Sequence, residues 1–168
     1  HDPDRPYPML TAILGGPSMV RQQLNPIWNY PLPVLAERGY VIFLPNSRGR
    51  GGFGMDFAHA IGDEESYVLN PLSDVLSGVD MMVAEGFADP DKLGVLGFSY
   101  GGTLTSYAVT VTDRFEAAIY GEGSPYMMDV MVRYPTAFFL GLFRDMWGLA
   151  NPYEPDVIQR TFEQSSIF

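Results

Sequence analysis

Residues 93–104, LGVLGFSYGGTL, constrain the fold of this chain more than any other segment. An apolar run typical of a buried strand leads directly into Ser99, and the residues after Ser99 have the spacing of a helix. Gly97 and Gly101 lie two residues before and two residues after the serine, where small residues let a strand and a helix approach closely. The segment therefore predicts a tight strand–serine–helix turn that holds the Ser99 hydroxyl clear of a sheet.

An exposed serine in such a turn is typical of a nucleophile that attacks carbonyl carbons. The attack places negative charge on the carbonyl oxygen, and backbone N–H groups must stabilise that charge. The first predicted donor is the N–H of Tyr100, and the second is the N–H of Gly16, in the Gly15-Gly16-Pro17 turn after an early strand. Two plainer interpretations remain open: Ser99 as a helix cap, and Gly15-Gly16-Pro17 as an ordinary turn.

The rest of the chain alternates strand-like and helix-like segments, separated by short Gly/Pro turns and without internal repeats. This alternation predicts one α/β domain over residues 1–168, with a mostly parallel sheet flanked by helices. The predicted strands are 9–16, 40–45, 88–98 and 115–120, and the predicted helices are 31–39, Asp56 to Ile61, Pro71 to Glu85 and Thr103 to Val111. Residues 121–168 are rich in aromatic residues, Met and Pro and suggest short helices.

Composition excludes several classes of function. Of the 168 residues 46% are apolar, and the formal charge is −10 with no Lys/Arg cluster, so nucleic-acid binding is not expected. The chain has no Cys, and no motif predicts a metal or another cofactor. No apolar stretch approaches the ~20 residues of a membrane helix. The sequence predicts a soluble protein without a membrane partner; it does not decide the compartment, although it favours the cytoplasm.

Several motifs, in order along the chain, resemble those of a known family. They are YPMLTAILGGP, LAERGYVIFLPNSRGRGGFGMDFAHAIG, DVLSGVDMMVAEGFADPDKLGVLGFSYGG and VTDRFEAAIYGEGSP, followed by the closing QSSIF. Together they resemble the α/β-hydrolase catalytic domain of the prolyl oligopeptidase family of serine peptidases, most closely its acylaminoacyl-peptidase and dipeptidyl-peptidase-like branch. The resemblance covers nearly the whole chain. It departs at Leu14, where relatives usually carry His before Gly-Gly-Pro.

The resemblance implies acyl transfer from peptides or small acyl substrates through Ser99. It places Tyr100 at the oxyanion site and an aromatic pocket wall near Tyr126, although Tyr126 is equally well explained as a core residue. An esterase acting on small esters would use the same site. Arg48 and Arg50 either hold their Gly-rich loop through backbone carbonyls or contact a substrate carboxylate.

The remaining members of a catalytic triad are not evident. In this fold the acid and the histidine follow the serine, yet His1 and His59 both precede Ser99. We therefore expect a partial domain, incomplete at its C-terminal end, whose open sheet edge favours self-association and which alone is inactive. Two alternatives are a non-catalytic interaction module that kept the fold, and a second chain that supplies the acid and the histidine.

Overall fold

The computed structural model describes residues 5–17, 20, 30–62, 66–124, 141, 144 and 153–159. Over the described residues between 5 and 124, eight elements follow the predicted alternation of strands and helices. In chain order they are β1 (Tyr7–Ile13), α1 (Leu32–Glu37), β2 (Val41–Phe43), α2 (Met55–His59), α3 (Ser66–Ala84), β3 (Ala88–Phe98), α4 (Tyr100–Val111) and β4 (Ala117–Gly121).

The four strands form one sheet in the order β2-β1-β3-β4, and every neighbouring pair is parallel. This confirms the predicted parallel sheet. From β1 the chain moves outward to β2, whereas from β3 it moves outward in the opposite direction to β4. The carboxyl ends of β1 and β3 therefore flank a topological switch point, where open α/β sheets bind their ligands.

Alternate residues of each strand point to opposite sides of the sheet, and both sides pack against helices. Met9 and Ile13 of β1 pack with apolar residues of α3 and α4. Ala12, between them, packs on the opposite face against Leu32 of α1 and Leu96 of β3. The sheet thus forms the middle layer of a three-layer domain.

The two long helices begin earlier than the sequence predicts. Helix α3 begins at Ser66 and continues through Pro71, which was the predicted start. A proline removes one helical hydrogen bond, that to the carbonyl four residues earlier, which here belongs to Tyr67. Helix α4 begins at Tyr100 rather than Thr103, immediately after Ser99, and its last residue, Val111, is exposed.

Strand β4 forms one edge of the described sheet, and Ile119 and Tyr120 on it are exposed. Self-association through this edge, expected above, stays a prediction. None of the helices in the described ranges is both long enough and apolar enough to cross a bilayer.

Candidate active site

Ser99 is the single residue between β3 and α4. Its backbone has φ 56° and ψ −122°, in a region that non-glycine residues rarely adopt and that costs roughly 1–3 kcal/mol. The surrounding structure holds it there: the Ser99 N–H donates to the carbonyl of Gly121 at 2.9 Å, and its own carbonyl accepts from the Thr103 N–H at 3.0 Å. Ser99 itself is exposed, at the carboxyl end of β3 where the switch point lies.

Glycines permit this turn because backbone atoms pack where side chains would otherwise begin. A Cβ at Gly101 would overlap the carbonyl oxygen of Ile13 and lie 2.8 Å from its carbonyl carbon. A Cβ at Gly97 would overlap the Gly101 carbonyl and lie 2.7 Å from Oγ1 of Thr105. The close approach of strand and helix that the two glycines predict is therefore present.

The turn after β1 lies beside Ser99. A Cβ on Gly15 would lie 3.5 Å from the Ser99 Cβ and 3.2 Å from the Phe98 carbonyl oxygen. Gly16 has φ 106°, a left-handed conformation that favours glycine. On the other side, Tyr100 is the first residue of α4, so its N–H has no acceptor within the helix. The structure thus places the Gly15-Gly16 turn beside Ser99 and the start of α4 at Tyr100.

Two arginines of the loop between β2 and α2 fix this loop to the rest of the domain. Arg48 binds the Asp74 carboxylate of α3 through its side chain, at 2.8–3.0 Å, and through its N–H at 2.7 Å. The second arginine, Arg50, donates to the carbonyls of Leu14, at 2.6 Å, and Gly15. These contacts support the interpretation that the two arginines hold their loop in place. The pairing of Arg48 with Asp74 was not predicted from the sequence.

The Tyr100 side chain is buried beneath the turn. Its hydroxyl donates to the carbonyl of Tyr67, which lies four residues before Pro71 and cannot accept from it, and the two tyrosine rings lie 4.7 Å apart. Burial, together with the neighbouring Tyr67, raises the pKa of Tyr100 well above its ordinary value, although Arg50 opposes the shift. The phenol therefore stays protonated at neutral pH and remains a donor.

Replacing Tyr100 with Phe is expected to lower the free energy of unfolding by about 1–3 kcal/mol, because the Tyr67 carbonyl is left buried without this donor. Urea unfolding of the full-length protein measures the loss. The matched control is Tyr40→Phe at an exposed tyrosine, with an expected change within about 0.5 kcal/mol. Equal stability of the two variants would contradict a stabilising role for the Tyr100 hydrogen bond.

The remaining sequence candidates do not belong to the strand, turn or helix that flank Ser99. His59 is exposed at the last position of α2. Tyr126, the expected pocket wall, and His1 both lie outside the described residues.

Comparison with known proteins gives consistent results. The chain is 36% identical over 114 residues to the "uncharacterized peptidase YuxL" of Bacillus subtilis, covering 67% of this chain and 17% of that protein. It is 30% identical over 168 residues to dipeptidyl-peptidase 5 of Porphyromonas gingivalis, covering 98% of this chain and 23% of that protein. The structure of acylaminoacyl peptidase from Pyrococcus horikoshii matches with a TM-score of 0.73 and 28% identity, over 94% of this chain and 24% of that one.

The chain thus spans about a quarter or less of the length of these relatives. Residues 28–146, which include Ser99 and both of its flanking elements, match the model of the prolyl oligopeptidase family. The parallel sheet, the serine turn and these matches agree, and we conclude that the chain belongs to the prolyl oligopeptidase family.

Proposed function

We propose that the full-length protein is a serine peptidase that cleaves peptide or acyl-amino-acid bonds with Ser99 as its nucleophile. The observation that carries the proposal is the strained, exposed position of Ser99 between β3 and α4, at the switch point of a parallel sheet. Family membership supports peptidase chemistry, and two relatives are named as a dipeptidyl-peptidase and an acylaminoacyl peptidase.

In the proposed reaction, Oγ of Ser99 forms a bond to the carbonyl carbon of the substrate while the C=O π electrons move onto the carbonyl oxygen. The hydroxyl proton passes to a general base. The N–H groups of Gly16 and Tyr100 stabilise the resulting oxyanion. Collapse of the intermediate expels the amine, which takes up the proton, and water then releases the acyl group from Ser99 and restores its hydroxyl.

The general base and its acid are proposed to lie outside these 168 residues. In the chain order of this fold both follow the serine, and the last histidine of the sequence is His59. His59 is exposed on α2, which precedes β3 in the chain. Without a base, the Ser99 hydroxyl stays protonated and reacts slowly.

A fluorophosphonate probe tests the proposal, because it phosphonylates only serines that are activated as nucleophiles. In the full-length gene product, we expect labelling of a single peptide, the one that contains Ser99, as identified by mass spectrometry. Ser99→Ala is expected to abolish labelling. The matched control is Ser106→Ala on the same helix α4, where the hydroxyl only donates back to the Thr103 carbonyl at 2.7 Å.

The outcomes separate the alternatives. Absence of label in a folded full-length protein would favour the non-catalytic interaction module, and label on another serine would remove Ser99 from the mechanism. Turnover of peptide p-nitroanilides is expected of a peptidase. Turnover of p-nitrophenyl esters alone would instead identify an esterase using the same serine.

A further inference from the structure

Arg50 is a cation that is almost completely buried. Its side chain is 1% exposed, and burying a charge is costly unless hydrogen bonds compensate it. The guanidinium donates to the carbonyls of Leu14 and Gly15, both in the segment that leaves β1. Its central carbon also lies 5.7 Å from the centroid of the Tyr100 ring. One buried cation therefore contacts both segments that flank Ser99.

The contact with Gly15 has a direct consequence for Gly16. The carbonyl of Gly15 and the N–H of Gly16 belong to one planar peptide group, so fixing the oxygen also fixes the direction of the N–H. A cationic donor on the oxygen is stronger than a neutral one and draws electron density away from the nitrogen. The Gly16 N–H is thereby both oriented and made a better hydrogen-bond donor.

The Gly15-Gly16 turn needs hydrogen bonds from another segment because its own residues supply little rigidity. Gly15 and Gly16 have no side chains to pack, and glycine has the widest choice of backbone conformations. The Tyr100 N–H, by contrast, belongs to the peptide group whose carbonyl, that of Ser99, already accepts the Thr103 N–H of the first turn of α4. Of the two proposed oxyanion donors, only Gly16 depends on a side chain from another loop.

We propose that Arg50 is a positioning residue for catalysis: its guanidinium aligns and polarises the Gly15–Gly16 peptide so that the Gly16 N–H meets the oxyanion. The inference rests on the proposed serine-peptidase function. In this role Arg50 acts through the Leu14 and Gly15 carbonyls that it binds, not through contact with the substrate. The ring of Tyr100, the first residue of α4, lies near the guanidinium carbon.

The test is Arg50→Lys in the full-length protein, with a peptide p-nitroanilide as substrate. Lysine keeps the charge but lacks the planar fork that serves two carbonyls at once. Because one oxyanion donor is worth about 10²–10³ in kcat, a misaligned Gly16 N–H is expected to lower kcat by about 10- to 100-fold. KM is expected to stay within about threefold, since the interaction forms only in the transition state.

The matched control is Arg48→Lys. Arg48 holds the same loop, but its side chain binds Asp74 and the Asn70 carbonyl rather than residues 14–16. We expect Arg48→Lys to leave kcat within about threefold of wild type. If Arg50 merely held the loop, the two variants would lose activity alike and in proportion to their loss of thermal stability.

The outcomes are distinct. A kcat of Arg50→Lys near the wild-type value, or an equal loss in Arg48→Lys, overturns the role of Arg50 while leaving Ser99 as the nucleophile. Absence of labelling at Ser99 in the wild-type protein overturns both proposals, whereas labelling with turnover of p-nitrophenyl esters alone overturns only the peptidase assignment, and kcat of the two variants is then compared on the ester. If Arg50→Lys does not fold, Arg50→Gln replaces it; this variant keeps one neutral donor, and the same comparison with Arg48→Lys applies.

Discussion

Ser99→Ala is expected to lower kcat of the full-length protein on a peptide p-nitroanilide by about 10⁴–10⁶-fold, the largest effect of any single substitution in this chain. The loss follows because no acyl bond to the enzyme can form without Oγ. The activity that remains comes from the oxyanion donors and substrate binding, which do not depend on the serine hydroxyl. Steady-state kinetics on the purified variant measure the effect, with KM expected to change little.

The fold of this variant is expected to be preserved, since the backbone hydrogen bonds of Ser99 to Gly121 and Thr103 do not involve its side chain. Ser106→Ala, on the same helix, is the control and should retain wild-type kcat. A variant at position 99 with more than about a hundredth of the wild-type kcat would contradict nucleophilic catalysis by Ser99, because loss of a nucleophile costs far more.

Much of the fold could be predicted from the sequence, because its signals are local. The alternating strand and helix patterns and the Gly/Pro turns located the four strands and four helices between Tyr7 and Gly121. The predicted start of α3 was wrong, since a proline normally marks the first turn of a helix. Here Pro71 lies inside the helix, and the hydroxyl of Tyr100, which is distant in sequence, donates to the Tyr67 carbonyl that a proline at position 71 cannot bond.

The glycines around Ser99 were predictable for the same reason, whereas the arginine that holds the neighbouring turn in place was not. Gly97 and Gly101 are recognisable by their spacing from the serine. By contrast, the bonds of Arg50 to Leu14 and Gly15 join positions 36 and 35 residues apart, and no local pattern encodes such a pairing. Arginines in a Gly-rich loop indicate that backbone carbonyls are bound, but only the folded arrangement identifies which ones.

Gly101→Ala is expected to destabilise the protein by more than about 3 kcal/mol, beyond the usual range for an added methylene in a packed core. The new Cβ would overlap the Ile13 carbonyl oxygen and lie 2.8 Å from the Ile13 carbonyl carbon and 3.1 Å from that of Leu14. These atoms belong to the end of a central strand, so neither partner can rotate away. Helix α4 must therefore shift off β1 and carry Ser99 with it.

Gly78→Ala provides the matched control, because the same substitution within a helix there meets a side chain instead of backbone. Its Cβ would overlap the outer end of the half-buried Phe43 ring, a side chain that can give way more easily than backbone, and alanine favours the helix by about 0.5–1 kcal/mol over glycine. The midpoint of urea unfolding of the full-length protein is expected to fall strongly for Gly101→Ala and only slightly for Gly78→Ala. Comparable midpoints, with fluorophosphonate labelling of Ser99 retained in Gly101→Ala, would show that close contact between α4 and β1 is not what holds the serine turn in place.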